Sequence, residues 1–356
     1  MLSLRDYGWN EFFAEAFERL PGDGLEPARV TRAAARIFGV RGEAYNGQAT
    51  LAGKMRHDAA SSADLPAVGD WVGIRCSSSG DARIDALLPR SSVLSRNVAG
   101  KRTSEQVVAA NVDLVIVVMG LDGDFNLRRL ERYLTAIWES GAQPLVLLNK
   151  IDLCDDTAAY VGDVQSVALG ATVLLASCKR GDGVEQVRAE VGAGRTAVLV
   201  GSSGAGKSTL INRLLGETVQ PTQETHGDDD RGRHTTTHRE LFRLPGGGLL
   251  IDSPGIRELQ LWGGESSLSR SFDDVEELAG RCRFRDCTHG SEAGCAVLEA
   301  IRDGALAAER LDSYRELQKE LRYLETKKSA SAQRAEKQKW RGIHREYRRF
   351  TKKRRE

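Results

Sequence analysis

The chain has 356 residues, 40% hydrophobic and 28% charged, which excludes a single small module and global disorder. Lys plus Arg number 51 and Asp plus Glu 50, a formal net charge of +1 that gives no sign of a polyanionic partner. The balance conceals an asymmetry: residues 331–356 hold 11 Lys/Arg against 3 Asp/Glu, leaving 40 against 47 in residues 1–330.

No segment approaches the roughly 18 consecutive apolar residues of a membrane-spanning helix. Residues 1–20 carry Arg5, Asp6, Glu11, Glu15, Glu18 and Arg19, which leaves no uninterrupted apolar region for a signal peptide. Trp9, Phe12, Phe13, Ala16, Phe17 and Leu20 recur at helical spacing, so residues 1–24 are expected to hold an amphipathic surface helix. Without an export signal the expected location is the cytoplasm, where the six cysteines favour thiol or metal roles over disulfides.

Residues 25–102 consist of short alternating segments broken by Gly and Ser, with turns expected near Gly42, Gly53, Gly69 and 77–80. In 71–76, Val72, Ile74 and Cys76 share one face. The size and spacing fit a five-stranded barrel of the oligonucleotide-binding type. Over 103–265 the pattern changes. Apolar runs at 114–119, 145–148, 172–176, 197–200 and 249–251 alternate with amphipathic segments such as 127–140 and 184–191. This predicts a parallel, doubly wound α/β sheet, in which ligands bind beyond the carboxyl ends of the strands.

The residues that follow those runs carry the chemistry. After Val200 come Gly201, Ser202, Ser203, Gly204, Ala205, Gly206, Lys207 and Ser208, a complete P-loop pattern, with Thr209 next. Its glycines let backbone N–H groups wrap phosphates, Lys207 reaches the β and γ oxygens, and Ser208 can ligate Mg²⁺. After Ile251 stand Asp252, Ser253, Pro254 and Gly255. Asp252 can support the metal and Gly255 can offer its N–H to a γ-phosphate. After Leu148 stand Asn149, Lys150, Ile151 and Asp152, and after Ala176 come Ser177, Cys178 and Lys179. A carboxylate at Asp152 accepts N1–H and N2–H₂ of guanine, whereas adenine has no N1 donor, so GTP is expected over ATP. N–H groups around Cys178 would cap guanine O6, and the Lys150 stem could lie along the base.

The base-reading residues precede the P-loop, the reverse of ordinary small GTPases, so the pattern describes a circularly permuted GTPase. The polar stretch 217–240 includes Arg233, His234, Thr235, Thr236, Thr237 and His238. It is expected to order around γ-phosphate and Mg²⁺ through Thr236 or Thr237, the alternative being a simple mobile loop. Where many GTPases place a water-orienting Gln, Ile256 stands, so slow intrinsic hydrolysis dependent on a partner is expected, with His234 and His238 as candidates for that role. The catalytic candidates are therefore Lys207, Asp252, His234, Thr236 and Thr237, and the Mg²⁺ candidates Ser208, Thr236 and Asp252.

Cys282, Cys287, His289 and Cys295 lie within 14 residues, a spacing that closes a tetrahedral structural Zn²⁺ site, the alternative being unrelated free thiols. Cys76, Cys154 and Cys178 read as ordinary small hydrophobic residues. Leu311, Tyr314, Leu317, Leu321 and Leu324 form a helical apolar stripe, so residues 266–326 are expected to be a zinc-binding helical domain. Arg281, Arg283 and Arg285 interleave with Phe284, the pattern expected of an RNA contact, the alternative being simply solvated surface arginines. In 327–356, basic residues from Lys337 to Arg355 alternate with Trp340, Tyr347 and Phe350. They look like an arm for a polyphosphate backbone, or else a solubilising tail.

Taken together, the motif at Gly69, Asp70, Trp71 and Val72, the permuted nucleotide motifs, the stretch 232–237 and the Cys₃His cluster resemble the ribosome small-subunit-dependent GTPase A family over nearly the whole chain. The resemblance implies a circularly permuted P-loop GTPase with an N-terminal barrel and a C-terminal zinc domain. It also implies GTP or GDP, Mg²⁺ and one structural Zn²⁺ as ligands, and the small ribosomal subunit with its rRNA as partner, for a monomer with no membrane association. Its expected role lies late in small-subunit maturation, with hydrolysis stimulated by the subunit. An RNA-binding or remodelling module whose nucleotide is only structural or regulatory, and an ATP-dependent enzyme, are the rival readings.

Overall fold

In the computed structural model, which describes residues 3–34, 37–77, 80–98, 104–216, 239–252 and 265–324, the alternating segments after the N-terminal helix become five strands. They are β1 (Glu26–Ala34), β2 (Ile37–Gly42), β3 (Asn46–Leu51), β4 (Trp71–Cys76) and β5 (Ala82–Leu87). Their order is β1-β2-β3-β5-β4, and β4 pairs again with β1, which closes the sheet into a barrel. Closure removes free edges and encloses Ala28, Val30, Val40, Ala49, Val72, Ile74 and Ile84. Two expectations fail locally. Val72 and Ile74 share the barrel core, but Trp71 and Gly73 on the opposite face of β4 are buried as well, because the N-terminal segment covers that face, and Cys76 is exposed at the strand end. The turn expected at Gly53 is the start of a short helix, Gly53–Asp58.

The amphipathic helix forms at Glu11–Glu18, with Asn10 as N-cap accepting from the Phe13 N–H. Phe13 is buried and packs with Trp9 and Phe17 around Trp71 and Leu88 of the barrel region, while Phe12 faces outward. Below that cluster Arg29 of β1 is buried and donates to the carbonyls of Tyr7, Gly69 and Asn111. Burial lowers its pKa to about 10, which still leaves it charged near neutrality. One guanidinium thus ties together the N-terminal segment, the turn before β4 and the entry to the α/β region.

After a hairpin of β6 (Val93–Val98) and β7 (Ser104–Ala110) come β8 (Leu114–Gly120), β9 (Gln143–Asn149), β10 (Thr172–Ala176), β11 (Thr196–Val200), β12 (Arg239–Arg243) and β13 (Leu249–Asp252). Their order is β10-β9-β8-β11-β13-β12, parallel except for β12. β8 is buried along its whole length, as a strand covered on both faces must be. Helix Leu127–Ser140 packs on β8 and β9, and helices Val184–Val191 and Lys207–Leu215 cover the core that includes Ile116, Val118, Leu145 and Leu147. β12 also pairs with β1, Arg32 opposite Glu240 and Ala33 opposite Arg239, so the barrel and the α/β sheet share one ladder.

The chain divides into two compact units, Met1–Leu261 and Trp262–Glu356. In the second, helices Glu265–Ser271, Asp273–Ala279, Ala296–Arg302 and 308–324 are described. The predicted stripe holds: Leu311, Tyr314, Leu317 and Leu321 are buried. Arg310 lies over the Phe272 ring at 4.1 Å and donates to both oxygens of Asp274. No described helix is long and apolar enough to cross a membrane. The basic arm beyond residue 326 lies outside the described residues.

Gly69 has φ +93°, and a Cβ there would overlap the Ala110 carbonyl oxygen. Gly69→Ala is expected to cost about 2 kcal/mol or more and to lower the thermal midpoint. Gly53→Ala, where a Cβ meets nothing within 4 Å, should leave the midpoint unchanged or slightly raised in the same thermal denaturation series.

Candidate functional site

Because β8, β9, β10, β11 and β13 run parallel, the segments that follow them all emerge at one edge. The loop after β11 needs glycine for steric reasons. Gly201 has φ +138°, and a Cβ there would overlap the Val118 carbonyl oxygen. Gly204 and Gly206 also have positive φ, and a Cβ on Gly206 would overlap the Asn149 Nδ2. Ser202, Ser203 and Ala205 fill the remaining loop positions, and Lys207, Ser208 and Thr209 form the first turn of helix Lys207–Leu215. The Lys207 ammonium arches back over the loop and donates to the carbonyls of Gly201, at 2.8 Å, and Ser202.

Asn149, at the end of β9, is 2% exposed and joins three loops. Its Nδ2 donates to the Ala205 carbonyl at 2.7 Å, and its Oδ1 accepts from the Cys178 N–H at 2.9 Å. Lys150 follows in left-handed conformation, φ 67°, with its Nζ 2.5 Å from the Asp122 carboxylate. Asp152 lies in the 3₁₀ turn Ile151–Leu153 and accepts from the Ser177 Oγ at 2.5 Å. That bond holds the Asp152 carboxyl below the usual carboxylate range. Cys178 is buried, and burial pushes its thiol up to about 12, so it behaves as the small hydrophobic residue expected. Lys179 follows, its carbonyl accepting from Arg213 at 2.7 Å.

Asp252 ends β13 opposite Glu240 in the register. Burial, and then the charge of Glu240, push its carboxyl above the ordinary range. A half-buried acid beside another acid is the setting that a bound cation relieves, so Asp252 fits a Mg²⁺ role. Gly255, His234, Thr236, Thr237, His238 and Ile256 lie outside the described residues.

Three residues beside these loops escaped the motif reading. Asp122 pairs with Lys150; Asp124 accepts from the Ser202 Oγ at 2.5 Å and pairs with Arg129; Arg213 grips the 177–179 loop. The two acids directly follow β8, and the same rule of inspecting strand ends would have found them. Arg213 carries no such signal, because only the fold sets a helix surface against that loop.

In the second unit the ligand atoms of Cys282, Cys287, His289 and Cys295 all lie within 4.8 Å of one another. Cys282 Sγ stands 3.9 Å from Cys295 Sγ, and His289 Nδ1 stands 3.6 and 3.5 Å from those two sulfurs. Zinc–sulfur bonds of about 2.3 Å in a tetrahedron require sulfur–sulfur edges of about 3.8 Å, so the cluster fits Zn²⁺. Burial, then the charge of Arg315, lower the His289 pKa and keep the imidazole in its neutral, ligating form. Arg315 also donates to the His289 carbonyl at 2.6 Å, which fixes the left-handed backbone at that residue. The guanidinium of Arg283 lies 5.5 Å from the Phe284 ring centroid, and that ring is exposed.

The model of the RsgA GTPase family matches residues 87–262. The small ribosomal subunit biogenesis GTPase RsgA of Syntrophotalea carbinolica is 45% identical over 357 residues, 98% of each chain. Its counterpart from Opitutus terrae is 46% identical over 356 residues, 96% of each chain. In fold, the chain is similar to YjeQ from Thermotoga maritima, with TM-score 0.63 and 24% identity over 83% of this chain and 98% of that one. It is also similar to YloQ, a circularly permuted GTPase, with TM-score 0.62 and 24% identity over 84% and 96%. Identity sustained along nearly the full length, on a sheet in which the glycine-rich loop after β11 follows the loops after β9 and β10 in the chain, means that the chain belongs to the RsgA GTPase family and hydrolyses GTP.

Proposed function

We propose that this GTPase acts late in small ribosomal subunit maturation, binding ribosomal RNA and turning over GTP when the subunit stimulates it. The observation that carries the nucleotide half of this reading is the Asn149 amide, which joins the loop after β10 to the P-loop although the two lie on either side of helix Val184–Val191 in the chain. On this reading Asn149 and Asp152 read guanine, Lys150 lies along the base, and Ser177, Cys178 and Lys179 close over O6. Residues Gly201, Ser202, Ser203, Gly204, Ala205 and Gly206 wrap the phosphates with Lys207, Ser208 and Thr209. Gly255 senses the γ-phosphate. The Asp152 carboxyl, held below its ordinary range, stays ionised through the neutral region, as acceptance from two guanine donors requires.

Ser208, Asp252 and Thr236 would hold Mg²⁺, which when bound neutralises charge developing on the phosphate oxygens. Lys207 holds phosphate from the other side, and with aliphatic Ile256 after Gly255 this chain supplies no amide to orient water at that position. His234 and His238 are the remaining candidates for that task, and Thr237 is the alternative to Thr236 as a hydroxyl ligand. Partner dependence follows. The partner class is supported by the printed names of the relatives, which tie them to small-subunit biogenesis. We assign 1–24 to the capping helix, 25–102 to the barrel, 103–265 to the GTPase domain, 266–326 to the zinc domain and 327–356 to a basic arm, in a cytoplasmic monomer. The zinc cluster supplies a structural pin for the loop that presents Arg283 and Phe284.

GTP turnover by the purified protein is expected to be slow and to rise at least about tenfold when small subunits are added, an acceleration that requires a partner to complete the site. Large subunits should have little effect, and a rate indifferent to small subunits contradicts the reading. Metal analysis is expected to give one zinc per chain, falling sharply in Cys282→Ser and Cys295→Ser; well under one zinc in the wild type removes the metal assignment.

A further inference from the structure

The helix that follows the P-loop reaches the base side of the site through Arg213. Its Nε donates to the Cys178 carbonyl at 3.2 Å, and its Nη2 to the Lys179 carbonyl at 2.7 Å. A guanidinium presents these donors in one rigid plane, so two successive carbonyls are fixed together. The helix end bearing Arg213 is itself held, because Arg188 donates to the Arg213 and Leu214 carbonyls at 3.0 and 3.2 Å. Lys207 and Arg213 are six residues apart, about 9 Å along the helix axis, so one rigid element touches both the P-loop and the loop after β10.

The peptide geometry gives this grip a directional consequence. The Cys178 carbonyl and the Lys179 N–H belong to one peptide unit, and in a trans peptide they point in opposite directions. A carbonyl drawn toward Arg213 therefore turns the Lys179 N–H to the other side of the loop. The neighbouring Cys178 N–H already donates to Asn149 Oδ1, whereas the Lys179 N–H has no hydrogen-bond partner among the described residues. We propose that Arg213 is a specificity-determining positioning residue that aims the Lys179 N–H at guanine O6 and couples that reading to the phosphate-binding helix. The inference rests on the reading above, in which residues 177–179 face guanine, and it narrows the O6 donor from the neighbourhood of Cys178 to one N–H. Asp152 meets this loop through the Ser177 hydroxyl and not through the carbonyls that Arg213 holds, and its 3₁₀ turn is held independently by the Leu153 N–H donating to the Lys150 carbonyl.

The test uses the full chain with Arg213→Ala and Arg213→Lys, measuring affinities for GTP, GDP, 6-thio-GTP and ITP by competition against a fluorescent GDP. 6-thio-GTP weakens the acceptor at position 6, and ITP lacks the 2-amino group that Asp152 reads. Arg213→Ala is expected to weaken GTP and GDP by the same factor, about five- to tenfold, as befits charge-assisted bonds at an exposed residue. Its preference for GTP over 6-thio-GTP should shrink by a similar factor while its preference over ITP stays at the wild-type value. Arg213→Lys, which keeps the charge but loses the planar fork, should fall between. Wild-type affinities in Arg213→Ala, or an equal loss for GTP, 6-thio-GTP and ITP, would overturn the proposal. A wild-type protein that fails to discriminate against 6-thio-GTP and ITP would instead overturn the base-reading assignment itself, and is told apart before any variant is compared.

Discussion

The candidate nucleotide site depends on one buried side chain. Asn149 spends its amide on the Ala205 carbonyl and the Cys178 N–H, so the loops after β9, β10 and β11 are fixed to one another by two hydrogen bonds. At 2% exposure it has no water to fall back on, and its loss would strand a donor and an acceptor together. The same amide dictates its surroundings, since a Cβ on Gly206 would occupy the space of Nδ2. This constraint explains why a permuted chain order is tolerated. A parallel sheet brings every strand end to one edge, and the bonds that assemble the site there are indifferent to which loop comes first along the chain.

Around that node the charged residues act as anchors. Asp122 holds Lys150, Asp124 holds Ser202, and Ser177 holds Asp152, each at 2.5 Å. The α/β sheet is in turn continuous with the barrel. Arg32 of β1 stands opposite Glu240 of β12, which stands opposite Asp252 of β13, so one row of the ladder runs from barrel to Mg²⁺ candidate. In the second unit a different economy applies, with Arg310 and the Cys₃His cluster organising short helices.

Much of this was legible in the sequence because apolar runs and glycine-rich motifs have strong local causes. The buried run of β8, the spans Leu127–Ser140 and Val184–Val191, and the P-loop in its strand and helix context follow from periodicity and steric need alone. What escaped depends on tertiary context. β12 is a five-residue strand with Leu241 as its one fully buried residue, and it gains its place by pairing with β1 and β13. Cys76 keeps the alternation of Val72 and Ile74 yet is exposed, because it ends β4 outside the enclosed core, which no local pattern announces. Arg213 reads as one more surface arginine until the fold sets its helix against the loop after β10.

The most direct test of this account is the nucleotide affinity of Asn149→Ala, measured by titration with fluorescent GDP and GTP in a protein shown by circular dichroism to remain folded. Two stranded partners at about 1–3 kcal/mol each predict a loss of at least about thirtyfold for both nucleotides. A variant within threefold of the wild type would contradict the claim that this side chain assembles the site.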